Sequence, residues 1–153
     1  MIEAGAEMPK FSLPDQSGEE KTYSDLAGPK GLVLFTYSKD NTSGCTAESM
    51  EFQERLARYK KLGFNVAGLS RDSVPSHEKF AAKLGLEYSI LSDTESRLLQ
   101  DLGAWGSKKV KGEVMSGPVR STVIVDEKGR VVKSYTKVQA KGHAQAILEE
   151  LGG

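Results

Sequence analysis

Segments typical of buried strands alternate with segments typical of amphipathic helices between residues 31 and 103. Residues 31–37 (GLVLFTY) are almost entirely apolar, which predicts a buried strand. From residue 45 to residue 62 apolar side chains recur at helical spacing and Gly63 follows, so a long helix is predicted there. The same patterns predict strands over residues 64–69 and 88–91 and helices over residues 74–84 and 95–102. This alternation predicts βαβ units around a central sheet.

The two ends of the chain complete the predicted fold. Turn signals around Pro14 and Gly18 predict a small hairpin ahead of the core. The later segments are predicted as a polar loop over residues 106–118, an antiparallel pair of strands over residues 121–125 and 130–135, and a helix over residues 142–151. We therefore expect an α/β protein with a central mixed β-sheet flanked by helices, an N-terminal β-hairpin extension and a single domain over residues 1–153.

Charge and cysteine content exclude several classes of function. The 21 Lys and Arg residues balance 21 Asp and Glu residues, so no basic surface for nucleic acid or anionic lipid is expected. The N-terminus lacks a signal-peptide pattern and no apolar run reaches roughly 20 residues, which favours a cytoplasmic protein with no membrane segment. Cys45 is the only cysteine, which excludes an intrachain disulfide and cysteine-type zinc sites. His77 and His143 stand far apart, and we expect no metal or cofactor.

Cys45 lies directly after a predicted strand and a polar turn, where the long helix begins. Free backbone N–H groups and the positive end of the helix dipole favour an anion there, so the thiol is expected to have a lowered pKa. Hydroxyls of Thr42 and Ser43 could bond a thiolate. Alternatively, Cys45 is a small buried apolar residue and the hydroxyls only cap the helix. Position alone leaves both open, but Glu51 excludes the Cys-x5-Arg loop of cysteine phosphatases.

Three segments carry more specific motifs: LFTYSKDNTSGCTAES, PVRSTVIVDEKG and VQAKGHAQAILEEL. The T-x-x-C turn, the R-S-T strand start and the KGHA segment stand in these three in that order. Together with EMPKFSLPDQSG near the start, they resemble the Q-type peroxiredoxins, also called bacterioferritin comigratory proteins. The resemblance implies a thioredoxin-like fold, a monomer, and a thiol-dependent peroxidase acting on hydrogen peroxide and organic hydroperoxides.

The same resemblance implies a role for each of four residues. Cys45 would attack the peroxide, Thr42 would bond it, Arg120 would hold the thiolate and polarise the O–O bond, and Glu48 would orient Arg120. An arginine suits this role because it stays charged and presents several fixed donors. Without the resemblance, Arg120 would be interpreted as a solvated residue and Glu48 as an acid that complements the helix dipole.

The sequence departs from the family pattern at four positions. Ser38 and Ser43 stand where prolines usually fix the turn, and each keeps an N–H that proline lacks. Met50 and Ala81 stand at the two positions where relatives carry a resolving cysteine. The resemblance therefore predicts a one-cysteine cycle, in which an external thiol (thioredoxin, glutaredoxin or a small thiol) reduces the sulfenic acid on Cys45.

Three functions remain open from the sequence. The first is the thiol peroxidase just described. The second is a peroxiredoxin-like redox sensor or partner-binding protein with little turnover, in which oxidised Cys45 forms a mixed disulfide with a partner. The third is an inert thioredoxin-fold domain with an ordinary slow thiol. Sustained peroxide consumption with a thiol supply would distinguish the first from the other two.

Overall fold

The computed structural model describes the backbone of residues 1–153 and the side chains of all except residues 108 and 110. The strands are β1 (Leu13–Pro14), β2 (Glu20–Lys21), β3 (Gly31–Thr36), β4 (Phe64–Ser70), β5 (Ser89–Ser92), β6 (Trp105–Val110), β7 (Glu113–Pro118), β8 (Ser121–Asp126) and β9 (Val131–Thr136). The helices are α1 (Tyr23–Leu26), α2 (Ser43–Lys61), α3 (Val74–Leu84), α4 (Arg97–Asp101) and α5 (His143–Glu150).

The main sheet has five strands in the order β5-β4-β3-β8-β9. Strands β3, β4 and β5 are parallel to one another, whereas β8 is antiparallel to both β3 and β9. The predicted βαβ units, the late antiparallel pair and the mixed sheet are therefore confirmed. The N-terminal hairpin is confirmed as the short β1–β2 pair.

Strand β3 lies at the centre of the sheet and is buried on both faces. Its side chains alternate, as a strand requires: Val33 and Phe35 pack with residues of α2, α3 and α5 on one face. Leu32 and Leu34 pack with residues of α1 and α4 on the other face. A strand covered on both faces reads as a continuous apolar run, which explains why the sequence predicted it well.

Helix α2 begins at Ser43, and the chain reaches it through the turn formed by residues 37–42. Asn41 takes a left-handed conformation in that turn, with φ of 65°, which asparagine tolerates better than most residues. Cys45 is thus the third residue of α2, among the backbone N–H groups that have no partner within the helix. None of the helices formed by residues 1–153 combines the length and apolar character needed to cross a bilayer.

The loop predicted over residues 106–118 is wrong, because this segment forms a β-ribbon. Strand β6 pairs antiparallel with β7 and lies outside the main sheet. The connection between them is two residues long, and both Lys111 and Gly112 have positive φ, which is the geometry of a tight hairpin turn. The ribbon was missed because Val114 and Met115 are exposed, so no buried face imposes an alternating pattern on the sequence.

Two smaller differences concern short helices. The single turn α1 was not predicted, and its start is closed by reciprocal bonds between Thr22 and Asp25. Helix α4 begins at Arg97, two residues later than predicted, because Ser96 has a left-handed φ of 59°.

Candidate active site

Cys45 is fully buried, with 0 % of its surface exposed. Its sulfur accepts a hydrogen bond from Nη2 of Arg120 at 3.2 Å, and the Ser38 hydroxyl lies 3.6 Å away. Gly44 provides the space for this arrangement, since a Cβ atom there would stand only 3.1 Å from Arg120 Nη2. The start of α2, the end of β3 and the start of β8 thus meet at the sulfur.

The pKa of the Cys45 thiol is lowered from its ordinary value. Burial raises this pKa, but a backbone hydrogen bond from Lys39, the hydroxyls of Thr42 and Ser38, and the charge of Arg120 together outweigh burial. Each of these groups favours the thiolate, because each donates a hydrogen bond to the sulfur or places positive charge near it. A thiolate is the nucleophilic form of cysteine. The site therefore suits Cys45 for attack on an electrophile.

Thr42 occupies the N-cap position of α2, yet its side chain makes no capping hydrogen bond to the helix. Its hydroxyl instead donates to the Lys39 carbonyl at 2.8 Å. A hydroxyl has one proton that rotates, so Thr42 can turn that proton from the carbonyl to the sulfur or to an oxygen bound beside it. The interpretation of the Thr42 side chain as a cap of α2 is therefore wrong.

Arg120 and Glu48 form a largely buried, hydrogen-bonded pair. Nη1 of Arg120 donates to Oε1 of Glu48 at 2.7 Å, and the Glu48 side chain is 0 % exposed. Burial raises the pKa of Glu48 to about 8, although the charge and hydrogen bond of Arg120 act in the opposite direction. Glu48 lies beyond the first turn of α2 and points at a cation, so its interpretation as an acid that complements the helix dipole is wrong.

Thr36 holds the backbone on both sides of Arg120. Its hydroxyl donates to the carbonyl of Val119 at 2.9 Å and accepts from the N–H of Ser121 at 3.1 Å, and the Ser121 hydroxyl lies 2.7 Å away. This buried set fixes the point where the chain enters β8. Arg120 is thereby aimed across the end of β3 at the sulfur.

Comparison with known proteins gives one consistent result. Residues 4–134 match the model of the AhpC/TSA family. Peroxiredoxin Bcp of Xanthomonas campestris is 36 % identical over 154 residues, covering 99 % of this chain and 96 % of that protein. This chain belongs to the peroxiredoxin family. Peroxiredoxins are thiol-dependent peroxidases, and the resemblance to the Q-type members is confirmed.

Solved structures confirm the thioredoxin-like fold of this peroxiredoxin. Two of them are variants of Xanthomonas campestris peroxiredoxin Q, each with one cysteine replaced by serine. The first superimposes with a TM-score of 0.90 at 35 % identity, covering 98 % of both chains. The second has a TM-score of 0.90 at 34 % identity, covering 98 % of this chain and 97 % of the other.

Sequence reasoning singled out four residues of the peroxiredoxin site and missed the polar groups around them. In the structure Arg120 contacts both Cys45 and Glu48, and Thr42 lies in the adjoining turn. The family pattern marks Ser38 only as a position that usually holds proline, yet its hydroxyl faces the sulfur. The sequence signal for this contact was a serine placed between a buried strand and the turn before the cysteine.

Replacing Glu48 by glutamine should remove a pH-dependent loss of stability. Because the pKa of Glu48 rises from 4.5 to about 8 on folding, the folded state keeps a proton that the unfolded state releases between these values. Wild-type stability should therefore fall as pH rises through this range, by an amount on the order of a few kcal/mol. Chemical denaturation at about pH 5 and about pH 9 should show Glu48→Gln gaining relative to the wild type.

Glu54 provides the matched control for this measurement. It is an exposed acid on the same helix. The free energy of unfolding of Glu54→Gln should therefore change with pH in the same way as that of the wild type. If Glu48→Gln also follows the wild type, the Glu48 carboxyl ionises in the folded state as it does in the unfolded chain, and burial does not govern it.

Proposed function

We propose that this peroxiredoxin reduces hydrogen peroxide and organic hydroperoxides through Cys45 in a one-cysteine cycle. The Cys45 thiolate attacks the terminal oxygen of HO–OR, forming an S–O bond as the O–O bond breaks. The products are a sulfenic acid, Cys45–SOH, and RO⁻, which takes a proton to leave as water or an alcohol. The observation that carries this proposal is the 3.2 Å hydrogen bond from Arg120 to the sulfur.

The groups around the sulfur support this first step. Arg120 stays charged, and its fork of donors can follow negative charge from the sulfur to the leaving oxygen. The Lys39 backbone N–H is a donor aimed at the same point, and the Thr42 hydroxyl can turn its proton there from the Lys39 carbonyl. Because Arg120 and the Lys39 N–H are fixed before the peroxide arrives, they stabilise the transition state at little cost in reorganisation. Glu48 acts through Arg120 as a positioning residue.

The second half of the cycle requires a thiol from outside the chain. Cys45 is the only cysteine, so two external thiols would act in turn: the first forms a mixed disulfide and releases water, and the second releases the Cys45 thiol and leaves as a disulfide. The two cysteines replaced in the Xanthomonas campestris peroxiredoxin Q variants lie as many residues apart as Cys45 and Ala81 do here. This spacing supports Ala81, rather than Met50, as the position that replaces a resolving cysteine.

The reductant is thioredoxin, glutaredoxin or a small thiol, in a cytoplasmic setting. An unpaired thiol that must return to its reduced form after each turnover suits a reducing compartment. The buried sulfur requires that the turn and first helical turn open before such a thiol can reach it. The proposal includes a monomer, as the resemblance to the Q-type members implies, because the contacts of Arg120 with Cys45 and Glu48 need no second chain.

The test is to mix reduced protein with one equivalent of hydrogen peroxide, with Cys45→Ser as the control. Rapid kinetics and mass spectrometry should show Cys45 gaining one oxygen far faster than free cysteine, with sustained peroxide consumption once a thiol reductant is added. A single stoichiometric oxidation that none of the three reductants reverses would instead favour the redox sensor. Oxidation no faster than that of free cysteine would leave the inert domain.

A further inference from the structure

A buried polar cluster lies beside the turn of residues 37–42, which leads to Cys45, and the proposed mechanism does not use this cluster. Its centre is His77 on α3, which is fully buried, beside Asp40 of the turn, which is also buried. Nδ1 of His77 lies 2.9 Å from Oδ2 of Asp40, and Nε2 lies 3.1 Å from the carbonyl oxygen of Leu91 on β5. The imidazole therefore joins the turn to α3 and the sheet.

The surroundings of Nε2 require it to carry a proton. The Leu91 carbonyl can only accept a hydrogen bond. The second neighbour is the Ser70 hydroxyl at 3.3 Å, whose own proton is donated to Asp72 at 2.6 Å. Both groups near Nε2 are thus acceptors, and a bare Nε2 would leave a buried nitrogen lone pair facing two oxygen lone pairs.

The surroundings of Nδ1 lead to the same conclusion on the other side of the ring. Asp40 accepts from the Tyr37 hydroxyl at 2.6 Å and from the Ser76 hydroxyl at 2.7 Å. Burial raises the pKa of Asp40, but the bonds from His77, Tyr37 and Ser76 outweigh it and lower that pKa. An ionised Asp40 next to Nδ1 needs a donor there. The Tyr37 hydroxyl also lies 3.3 Å from Nδ1, but its proton is donated to Asp40, so acceptors face both ring nitrogens.

The hydrogen bonds of Asp40 also hold the backbone of the turn that faces the Cys45 sulfur. Its own N–H donates to Asp72 at 3.0 Å, so the turn is tied at both the side chain and the main chain. The preceding residue, Lys39, directs its N–H at the Cys45 sulfur and its carbonyl accepts the Thr42 hydroxyl. A shift of Asp40 would therefore move two of the groups that face the thiolate.

We infer that His77 is a positioning residue of the peroxidatic site: as a buried imidazolium paired with Asp40, it holds the turn of residues 37–42 in the form that stabilises the Cys45 thiolate. This inference rests on the proposed function for its kinetic consequence, but its structural content is independent of it. Asp40, Asp72 and His77 also lie within 4.8 Å of one another, as metal ligands do. They already make hydrogen bonds at 2.6–3.0 Å with each other and with serine and tyrosine hydroxyls, so the cluster is satisfied without a cation.

Nitrogen-15 NMR of the unmodified protein gives the first test, and it needs no activity. We expect both ring nitrogens of His77 to show a bonded proton at neutral pH, with slow exchange because the ring is buried. A single N–H at neutral pH would overturn the inference. His143 is half-buried on α5, and burial lowers its pKa to about 4, so it supplies the neutral reference signal in the same spectrum.

The second test compares His77→Gln with Val131→Ala, a core substitution on the opposite face of the sheet. His77→Gln should speed amide exchange at residues 39–42. It should also raise the apparent pKa of Cys45 measured by alkylation, and slow Cys45 oxidation roughly 10- to 100-fold. Val131→Ala should lower stability without these changes. Adding Asp40→Asn to His77→Gln should recover part of the loss, because a neutral amide pair replaces an unpaired buried carboxylate.

The readouts separate failure of this inference from failure of the proposed function. If the wild type reacts with peroxide no faster than free cysteine, the proposed function fails, while the NMR and exchange measurements still decide the role of His77. If the wild type reacts rapidly and His77→Gln leaves both amide exchange and the alkylation profile unchanged, the positioning role is wrong.

Discussion

Replacing Arg120 by alanine should slow the oxidation of Cys45 by hydrogen peroxide about 100- to 1,000-fold, the usual cost of removing a fixed donor from a transition state. Arg120 donates to the sulfur at 3.2 Å and to Glu48 at 2.7 Å. Its loss would remove the positive charge beside the thiolate and the donor available to the leaving oxygen. The oxidation rate of Arg120→Lys should lie between those of the wild type and Arg120→Ala. Its single ammonium group keeps the positive charge but cannot donate from two fixed nitrogens as the guanidinium does.

The pH dependence of the Arg120→Ala rate separates two roles of this side chain. Without the guanidinium the pKa of Cys45 should rise, since the charge of Arg120 is among the causes that lower it. If Arg120 served only to maintain the thiolate, raising the pH would restore the full rate. We expect only partial recovery, because the leaving oxygen still lacks its donor. Stopped-flow measurements across pH make this distinction.

Arg58 offers the matched control for an arginine-to-alanine change. It is exposed on α2, far along the helix from Cys45, and Arg58→Ala should react like the wild type. Equal rates for Arg120→Ala and Arg58→Ala would contradict the role proposed for Arg120. Thermal unfolding of both variants would show whether a slower rate reflects loss of folded protein.

The regular elements were predictable because both faces of the main sheet are covered. Strands β3 and β4 read as apolar runs, and Gly63 and Gly85 end α2 and α3 with positive φ. The exposed β6–β7 ribbon gave no such pattern. An element with a buried face needs apolar residues at regular positions, and this periodicity can be recognised in the sequence. An element that buries little surface can be recognised only by its turn residues.

The site was predictable only in part, because its contacts join residues distant in sequence. Arg120 and Glu48 are 72 positions apart, and no spacing rule pairs them; the resemblance to a known family did so. His77 and Asp40 are 37 positions apart, and no motif in the sequence pairs them. Their proximity follows from the parallel pairing of β3, β4 and β5, which brings the loop after β3 beside α3.

Replacing Ala81 by cysteine should convert the one-cysteine cycle into one with an intramolecular disulfide. Ala81 is a buried residue of α3 in the same core cluster as Cys45, so a thiol there would face the core that also holds the Cys45 sulfur. A tethered thiol acts at an effective concentration near 1 mM. It should therefore consume the Cys45 sulfenic acid on the order of 100-fold faster than an external protein thiol at about 10 μM.

Mass spectrometry of the Ala81→Cys variant after one equivalent of peroxide should show a loss of two hydrogens in place of a gain of one oxygen. Thioredoxin should then drive faster turnover than in the wild type, because it reduces a disulfide directly. Ala82→Cys is the matched control: Ala82 is exposed on the next position of α3, roughly 100° around the helix. A disulfide needs its two Cα atoms within about 7 Å. A disulfide in Ala81→Cys but not in Ala82→Cys would therefore show that oxidised Cys45 comes within this distance of the buried face of α3, whereas a persistent sulfenic acid in both variants would mean that it does not.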